Sequence, residues 1–327
     1  MLNRLRKWLS RAQSDRTSVA ATAQSSVAAG RDIVNSPITI GLDSQAIIEP
    51  VRELAEVFRP VPVTHRVKIQ RFIEYYLGVP GQPVPFGGRE AELRVLCDWI
   101  NEPSAAPNLL ITGPAGRGKT ALVIRWMQLI PKDWKIAFVP ISIRFQTNHA
   151  TIFYEALAHQ LAALLNVSAG GTQRDASEFF RDRCLEMLEE LKSKSAQTLI
   201  ILDGLDEASG WEIDTSLLQT NGRGQIRTVV LARTLAGDHD SPEGWLRRLE
   251  WSPNPQSCRT IIVPPLSQDD IGRALYSMGF PVSGLTTRAD VLGELQRLTD
   301  GDPLLVRMYA ERLWERGLEA KRSHRMN

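Results

Sequence analysis

One octapeptide has the pattern of a phosphate-binding loop. The segment GPAGRGKT, residues 113–120, matches G-x-x-x-x-G-K-[ST], follows the apolar run NLLIT and precedes a helix-forming segment. In such a loop, backbone N–H groups turn toward phosphate oxygens and the positive end of the next helix faces them. Lys119 is predicted to reach the β and γ phosphates, and Thr120 to complete a magnesium shell. The predicted phosphate contacts are Gly113, Pro114, Ala115, Gly116, Arg117, Gly118, Lys119 and Thr120.

A second motif supplies carboxylates. The segment TLIILDGLDEA, residues 198–208, is an apolar strand that ends in Asp203, which is predicted as the second magnesium ligand. Asp206 and Glu207 follow, where a carboxylate can polarise the water that attacks the γ phosphate. Which of the two does so is left open, and either acid can instead cap the next helix.

A third segment, IRTVVLAR, is predicted to be a strand that ends in Arg233. Ligands of open α/β sheets gather at the carboxyl ends of the strands. Arg233 is therefore a candidate contact to the γ phosphate, with an ordinary surface arginine as the equal alternative.

Helical and strand-like segments alternate around these motifs. The predicted helices cover residues 89–101, 119–129, 152–165 and 176–192, and the predicted strands cover residues 108–112, 136–143, 198–203, 226–233 and 260–263. This alternation predicts a three-layer α/β/α P-loop NTPase fold with a five-stranded, mainly parallel sheet. Three helices with no strand signal follow from residue 267 to about residue 316, and they predict a small all-α lid domain.

Composition shifts divide the chain into four predicted parts. Residues 1–42 read as a basic amphipathic helix, a flexible linker and a short β hairpin, and 43–83 as a helical segment with a Pro/Gly linker. Residues 84–265 form the NTPase domain, and 266–327 the helical lid with a basic tail. Residues 2–11 have the pattern of a helix that contacts a membrane surface or a partner, but a frayed terminal helix is the favoured interpretation.

Composition and charge are those of a globular protein. The chain has 39 Lys and Arg against 37 Asp and Glu, which favours neither nucleic acid nor membrane as a partner. Its three cysteines lack metal-ligand spacing, and no apolar run approaches the roughly 20 residues of a transmembrane helix. A cytoplasmic location is expected.

Taken in order, the motifs resemble those of the STAND class of AAA+-related P-loop NTPases, especially its NACHT branch. The landmarks are PFGGREAEL (85–93), GPAGRGKT (113–120), ILDGLDEA (201–208), LARTLAG (231–237), IIVPPLSQDDI (261–271) and GDPLLV (301–306). The resemblance implies an ATP/ADP switch that controls self-association or engagement of a sensor or effector protein, as in bacterial defence or regulation. It further implies that Arg233 senses the γ phosphate and that Pro303 packs near the adenine.

The chain departs from this family pattern in two ways. Gly204 stands directly after Asp203, where many AAA+ enzymes have the catalytic glutamate, so a weak ATPase with slow hydrolysis is expected. Family members continue past the helical domain into a winged helix and sensor repeats, which the 327 residues do not include. The chain is then expected to be a fragment, a shortened member, or one that uses a partner's sensor.

Two other functions stay open. DNA-associated initiator and helper ATPases share the G-R-E motif, found here within PFGGREAEL (85–93), and the helical lid. The basic residues at 312–325 are the feature that favours this function. A non-hydrolysing adaptor would bind nucleotide for structure alone. The resemblance favours the switch over both.

Overall fold

The protein consists of two compact units that meet in sequence between Pro265 and Leu266. The structure, a computed structural model, describes residues 60–79, 82–170, 176–194, 196–219, 225–235, 241–280 and 282–313. The predicted basic helix, linker and hairpin of residues 1–42, the first helix of the 43–83 segment, and the basic tail after residue 313 lie outside the described residues.

A five-stranded parallel sheet forms the centre of the first unit. Its strands are β1 (Asn108–Thr112), β2 (Lys135–Pro140), β3 (Thr198–Asp203), β4 (Ile226–Leu231) and β5 (Cys258–Ile262). Their spatial order is β2-β3-β4-β1-β5, and every neighbouring pair is parallel. All residues of β1, β3 and β4 are buried, because parallel strands are covered by helices on both faces.

Helices flank the sheet in two groups. They are α1 (Val63–Leu77), α2 (Glu90–Asn101), α3 (Lys119–Met127), α4 (Ala150–Leu165), α5 (Ala176–Ser193) and the short α6 (Glu243–Arg248). Helices α1 and α2 pack on α3, whereas α4 packs against α5 and β2. Phe138 and Phe153 are fully buried, and burial of each such side chain stabilises the fold by about 1.5–3 kcal/mol. The predicted three-layer α/β/α class is confirmed.

Three strands end earlier than the sequence predicted, although β5 does so by one residue only, at Ile262. Strand β2 ends at Pro140 rather than at residue 143. Ile141 N still donates to the Asp203 carbonyl (2.7 Å), but the next two backbone donors turn to side chains: Ser142 N donates to Thr147 Oγ1 (2.9 Å) and Ile143 N to a Glu207 carboxylate. Strand β4 ends at Leu231, two residues before Arg233. After β2 and after β4, the backbone leaves the sheet at its carboxyl edge.

The second unit is all-helical within the described residues. It contains α7 (Gln268–Ser277), a short 3₁₀ helix (Val282–Thr287), α8 (Ala289–Thr299) and α9, which begins at Pro303 and is described to residue 313. Ser267 and Asp270 form a capping box that fixes the start of α7. The unit has its own apolar core, made by Leu266, Ile271, Leu275, Val282, Leu285, Val291, Leu292, Leu295, Val306 and Ala310.

None of the helices among the described residues has the length and apolar character that crossing a bilayer requires.

Candidate nucleotide-binding site

The predicted phosphate loop connects the carboxyl end of β1 to the first turn of α3. Gly118, which precedes α3, has a φ of 85°, a left-handed conformation that glycine adopts without steric cost. Since α3 begins at Lys119, its unpaired N–H groups and positive dipole end lie at the loop. The intervening residues, Pro114, Ala115, Gly116 and Arg117, are at least partly exposed. The loop is therefore accessible to an anion.

The Lys119 side chain folds back over this loop. Its Nζ donates to the carbonyl oxygens of Gly113 (2.7 Å) and Pro114 (3.0 Å). Burial lowers the pKa of Lys119 to about 8, while the charges of Asp206 and Asp203 act in the opposite direction. Phosphate oxygens are stronger acceptors than carbonyls, so the same N–H groups can transfer to a bound phosphate.

The two predicted magnesium ligands are in contact. Thr120 Oγ1 donates to Asp203 Oδ1 at 3.1 Å, although the residues are 83 positions apart in the chain. Asp203 is only 3% exposed, and within the part of the chain that the structure describes its Oδ2 has no hydrogen-bond partner. Burial raises the pKa of Asp203 to about 7.

These oxygens fit a magnesium ion. Mg²⁺ prefers oxygen ligands and usually combines one or two protein oxygens with substrate phosphates and water. Thr120 contributes a hydroxyl and Asp203 a buried carboxylate with an unused oxygen. When bound, the metal neutralises the charge of the phosphates. Thr120 and Asp203 are the residues that would hold it.

Arg233 lies between two acids just beyond the sheet. Its Nε is 3.2 Å from Asp206 Oδ2, and its Nη2 donates to Glu207 Oε1 at 2.6 Å. The Arg233 backbone N–H also donates to Asp206 Oδ1 at 2.8 Å, and Trp245 Nε1 donates to the Arg233 carbonyl. The Arg233 side chain is nevertheless 51% exposed. The guanidinium thus lies near the edge of the sheet from which the phosphate loop extends. Its exposure allows it to exchange one hydrogen-bond partner for another.

Strand order explains how Arg233 comes to this position. Leu231 of β4 is in register with Ile111 of β1 on one side and with Asp203 of β3 on the other. The strand that leads to Arg233 therefore separates the strand that leads to the phosphate loop from the strand that ends in Asp203. All three predicted site segments meet at one carboxyl edge, which is the usual place for ligands of such sheets.

Glu207 has a second partner on the neighbouring strand connection. Its Oε2 accepts a hydrogen bond from the Ile143 backbone N–H at 2.8 Å, while Oε1 accepts from Arg233. Both carboxylate oxygens are thus engaged. Neither Asp206 nor Glu207 caps an α-helix, because both lie in a short 3₁₀ turn, Leu205–Glu207. The structure therefore brings both acids to the site.

Gly204 occupies a position that excludes a larger residue. Its φ is 82°, and a Cβ atom there would lie 2.4 Å from the carbonyl oxygen of Ile141. Contacts that short do not occur without a shift of the backbone. A glutamate directly after Asp203, as many AAA+ enzymes have, is therefore incompatible with the way β2 and β3 leave the sheet here.

Arg89 is a structural residue of the site that the sequence analysis did not single out. It is 3% exposed, and its guanidinium donates to the carbonyl oxygens of Arg117 (2.9 Å) and Pro264 (2.8 Å). It thereby ties the phosphate loop to the chain that follows β5. The sequence around Arg89, PFGGREAEL (85–93), contains no local signal of these hydrogen bonds, because Arg117 and Pro264 are 28 and 175 positions away in the chain.

Pro303 belongs to the helical unit, where it begins α9. The other predicted site residues belong to the sheet unit. A contact between Pro303 and the adenine stays a prediction.

The loop, the Thr120–Asp203 pair and the strand order together indicate a P-loop NTPase. Residues 85–231 match the AAA ATPase domain family. The AAA match includes the phosphate loop, Asp203, Asp206 and Glu207, and it ends two residues before Arg233. Together with the fold it supports an AAA+ P-loop NTPase, a class that binds nucleotide and usually uses magnesium. No curated protein sequence matches the chain.

Several solved structures are similar to this one at a low level. The Aeropyrum pernix ORC1 protein in complex with DNA is 20% identical, with 75% of this chain and 62% of that chain covered and a TM-score of 0.43. Cdc6p from Pyrobaculum aerophilum is 16% identical, with 77% and 66% covered and a TM-score of 0.45. A Walker-type ATPase of Pyrococcus abyssi is 16% identical, with 74% of each chain covered and a TM-score of 0.44. The chain spans less than two thirds of the ORC1 and Cdc6p chains.

The burial of Asp203 predicts a pH-dependent stability. Its folded pKa, about 7, lies above the ordinary aspartate value of 3.8, so between these two pH values the folded protein holds a proton that the unfolded chain has released. Wild-type stability without nucleotide or magnesium should therefore fall as pH rises from about 4 to about 7, by up to about 1.4 kcal/mol per pH unit from this group. Asp203→Asn should lack this slope. Urea unfolding across pH in EDTA measures it.

Asp182→Asn is the matched control, because the Asp182 side chain is 61% exposed and should keep the wild-type slope. Equal slopes for wild type and Asp203→Asn would contradict the prediction.

Proposed function

We propose that this protein is an ATP-dependent switch of the STAND class, close to its NACHT branch, with slow magnesium-dependent ATP hydrolysis. ATP binding would promote self-association or engagement of a sensor or effector protein, and ADP would favour the closed form. Bacterial defence or regulation is the proposed setting, in the cytoplasm. The observation that carries the proposal is Arg233, a half-exposed guanidinium paired with both Asp206 and Glu207 beside the phosphate loop.

The Arg233 pairing offers a physical basis for a switch. A γ phosphate presents three charged oxygens, which compete with the two carboxylates for the same guanidinium donors. Transfer of Arg233 to the phosphate would release Glu207 Oε1, and only then would that acid be available to orient a water. ADP lacks the γ phosphate and would leave the Arg233–Glu207 pair intact. ATP and ADP would thus give two different arrangements of the same loop.

Two features support slow turnover. Gly204 fills the position directly after Asp203, and its surroundings admit no larger residue. Glu207 has both carboxylate oxygens engaged, by Arg233 and by the Ile143 N–H. A general base must be free to accept a proton, so each turnover would first require the Glu207 contacts to rearrange.

The decisive experiment is the mass-resolved size of the full chain with ADP, and with ATP plus magnesium. A larger species with ATP, absent in Lys119→Ala and longer-lived in Glu207→Gln, supports a switch whose return step is hydrolysis. One unchanging size across nucleotides and variants would refute the switch and favour the non-hydrolysing adaptor.

Arg233→Ala should separate recognition of ATP from recognition of ADP. Loss of a charge-assisted hydrogen bond to the γ phosphate predicts an ATP affinity about tenfold weaker, with ADP affinity within about twofold of wild type. Titration of each nucleotide measures both values. Arg248→Ala is the control, since that guanidinium stacks on Trp245 instead. Equal losses for ATP and ADP would show that Arg233 supports the loop without reading the γ phosphate.

A DNA-associated helper ATPase is the second candidate. Basic residues at 312–325, among them Arg312 and Lys321, are the feature that favours it. Non-specific DNA binding weakens steeply with salt. Salt-dependent binding that disappears on deletion of residues 317–327 would favour this function over the switch.

A further inference from the structure

A closed turn, residues 142–147, follows β2 and lies beside Glu207. Two hydrogen bonds join its ends: Ser142 N donates to Thr147 Oγ1, and Thr147 N donates to the Ser142 carbonyl, each at 2.9 Å. Within the turn, Gln146 N donates to the Ile143 carbonyl at 3.1 Å. Both end residues are buried, and Thr147 is only 1% exposed. Bonds that are shielded from solvent therefore hold the turn in one shape.

The closed turn presents one backbone donor to Glu207. Ile143 N donates to Glu207 Oε2 at 2.8 Å. The Ile143 side chain is 63% exposed, so its own packing does not fix the direction of this N–H. The N–H belongs to the same planar peptide group as the Ser142 carbonyl, which Thr147 N holds. Thr147 thus fixes the direction of a donor that it does not itself contact.

The chain after Glu207 is tied to the end of the closed turn as well. The Asn148 carbonyl accepts from Trp211 Nε1 at 2.7 Å and from Ser209 N at 3.3 Å. The Trp211 ring packs on Phe153, with centroids 4.9 Å apart. The two segments are therefore joined at Glu207 and again shortly after it, which limits their movement past each other.

Helix α1 packs against the closed turn. The Phe145 ring lies 5.3 Å from that of Phe72 and 5.9 Å from that of Tyr75, centroid to centroid. The Arg144 guanidinium lies over the Tyr75 ring, 4.0 Å from its centroid. These contacts hold the turn from a helix that precedes the AAA-matched residues 85–231.

Glu207 therefore has one exchangeable partner and one fixed partner. The Arg233 side chain is 51% exposed, whereas Ile143 N belongs to the closed turn. We propose that Thr147 is a positioning residue for hydrolysis: through the closed turn it keeps Glu207 Oε2 on Ile143 N, so that Oε1 is oriented for the attacking water once Arg233 has moved to the γ phosphate. A catalytic group is effective only when its geometry is held closely. This inference rests on the proposed ATP hydrolysis with Glu207 as the base.

The test removes one buried acceptor. Thr147→Val keeps the side-chain shape and removes the acceptor of Ser142 N, whereas Thr147→Ser keeps the acceptor. Thr228→Val is the matched control, since Thr228 is fully buried in β4 and its Oγ1 has no hydrogen-bond partner among the described residues. Single-turnover hydrolysis and ATP affinity are measured on the full chain for each variant. Thr147→Val is also combined with Glu207→Gln.

Thr147→Val is expected to hydrolyse ATP about tenfold more slowly, with an ATP affinity within about twofold of wild type. Thr147→Ser should recover the rate to within about threefold, and Thr228→Val should equal wild type. In the Glu207→Gln background, Thr147→Val should cause no further loss, because residues that act through one group are not additive.

Wild-type hydrolysis in Thr147→Val would overturn the positioning role. A tenfold loss that persists in the Glu207→Gln background would overturn it too, since that pattern means general damage. Phe145→Leu loosens the same turn on the side of α1 and should slow hydrolysis about threefold; if Thr147→Val does not fold, a wild-type rate in Phe145→Leu overturns the role. A wild type that binds ATP without hydrolysing it would instead overturn the proposed hydrolysis, and this inference with it.

Discussion

Replacing Lys119 by alanine should abolish nucleotide binding, with a Kd for ATP at least about 100-fold higher than in wild type and no measurable hydrolysis. The lysine now makes two N–H donations to loop carbonyls, at 2.7 and 3.0 Å, and the same donors can turn to phosphate oxygens. Hydrogen bonds to charged groups contribute about 1.5–3 kcal/mol each. Two of them amount to about 3–6 kcal/mol, which is at least about 100-fold in Kd. Calorimetric titration with ATP and magnesium measures the effect.

Lys135→Ala is the control for this variant. Lys135 begins β2, at the end of the strand away from the site, and its exposed side chain donates to the Leu164 carbonyl. It should bind ATP as wild type does. If Lys119→Ala bound ATP within about threefold of wild type, nucleotide would not sit in the 113–120 loop as proposed.

Glu207→Gln should bind ATP normally and hydrolyse it about 100-fold more slowly, since a general base contributes about 100-fold or more. The amide keeps an oxygen that can accept from Ile143 N or Arg233 but cannot take up a proton from water. ATP affinity should stay within about threefold, because the phosphate contacts come from the loop and Lys119. Single-turnover hydrolysis, followed with binding on the same preparation, separates the two effects.

Two further variants make the result for Glu207 specific. Glu212→Gln changes an exposed acid near the site in sequence and should hydrolyse ATP as wild type does. Asp206→Asn distinguishes the two candidate acids, because Asp206 accepts from the Arg233 backbone and pairs with its side chain. A large loss of hydrolysis in Asp206→Asn with wild-type turnover in Glu207→Gln would reverse the assignment.

The elements were predictable where local patterns decide them. Strands β1 and β3 begin and end at the predicted residues. Each is an uninterrupted apolar run between turn residues, which is the typical pattern of a parallel strand buried on both faces. The ends of β2 and β4 were predicted too late. There the backbone leaves the ladder for side chains of distant residues, and that exchange leaves no mark in the local sequence.

The sequence by itself determined the phosphate loop, Lys119, Thr120 and Asp203, since glycine spacing and a strand-terminal carboxylate encode them locally. Only the tertiary structure decided that Arg233 pairs with both acids and that Arg89 donates to the carbonyl of Arg117 in the loop. The order β2-β3-β4-β1-β5 brings these segments together. These contacts join residues many positions apart, so no short window of sequence contains them.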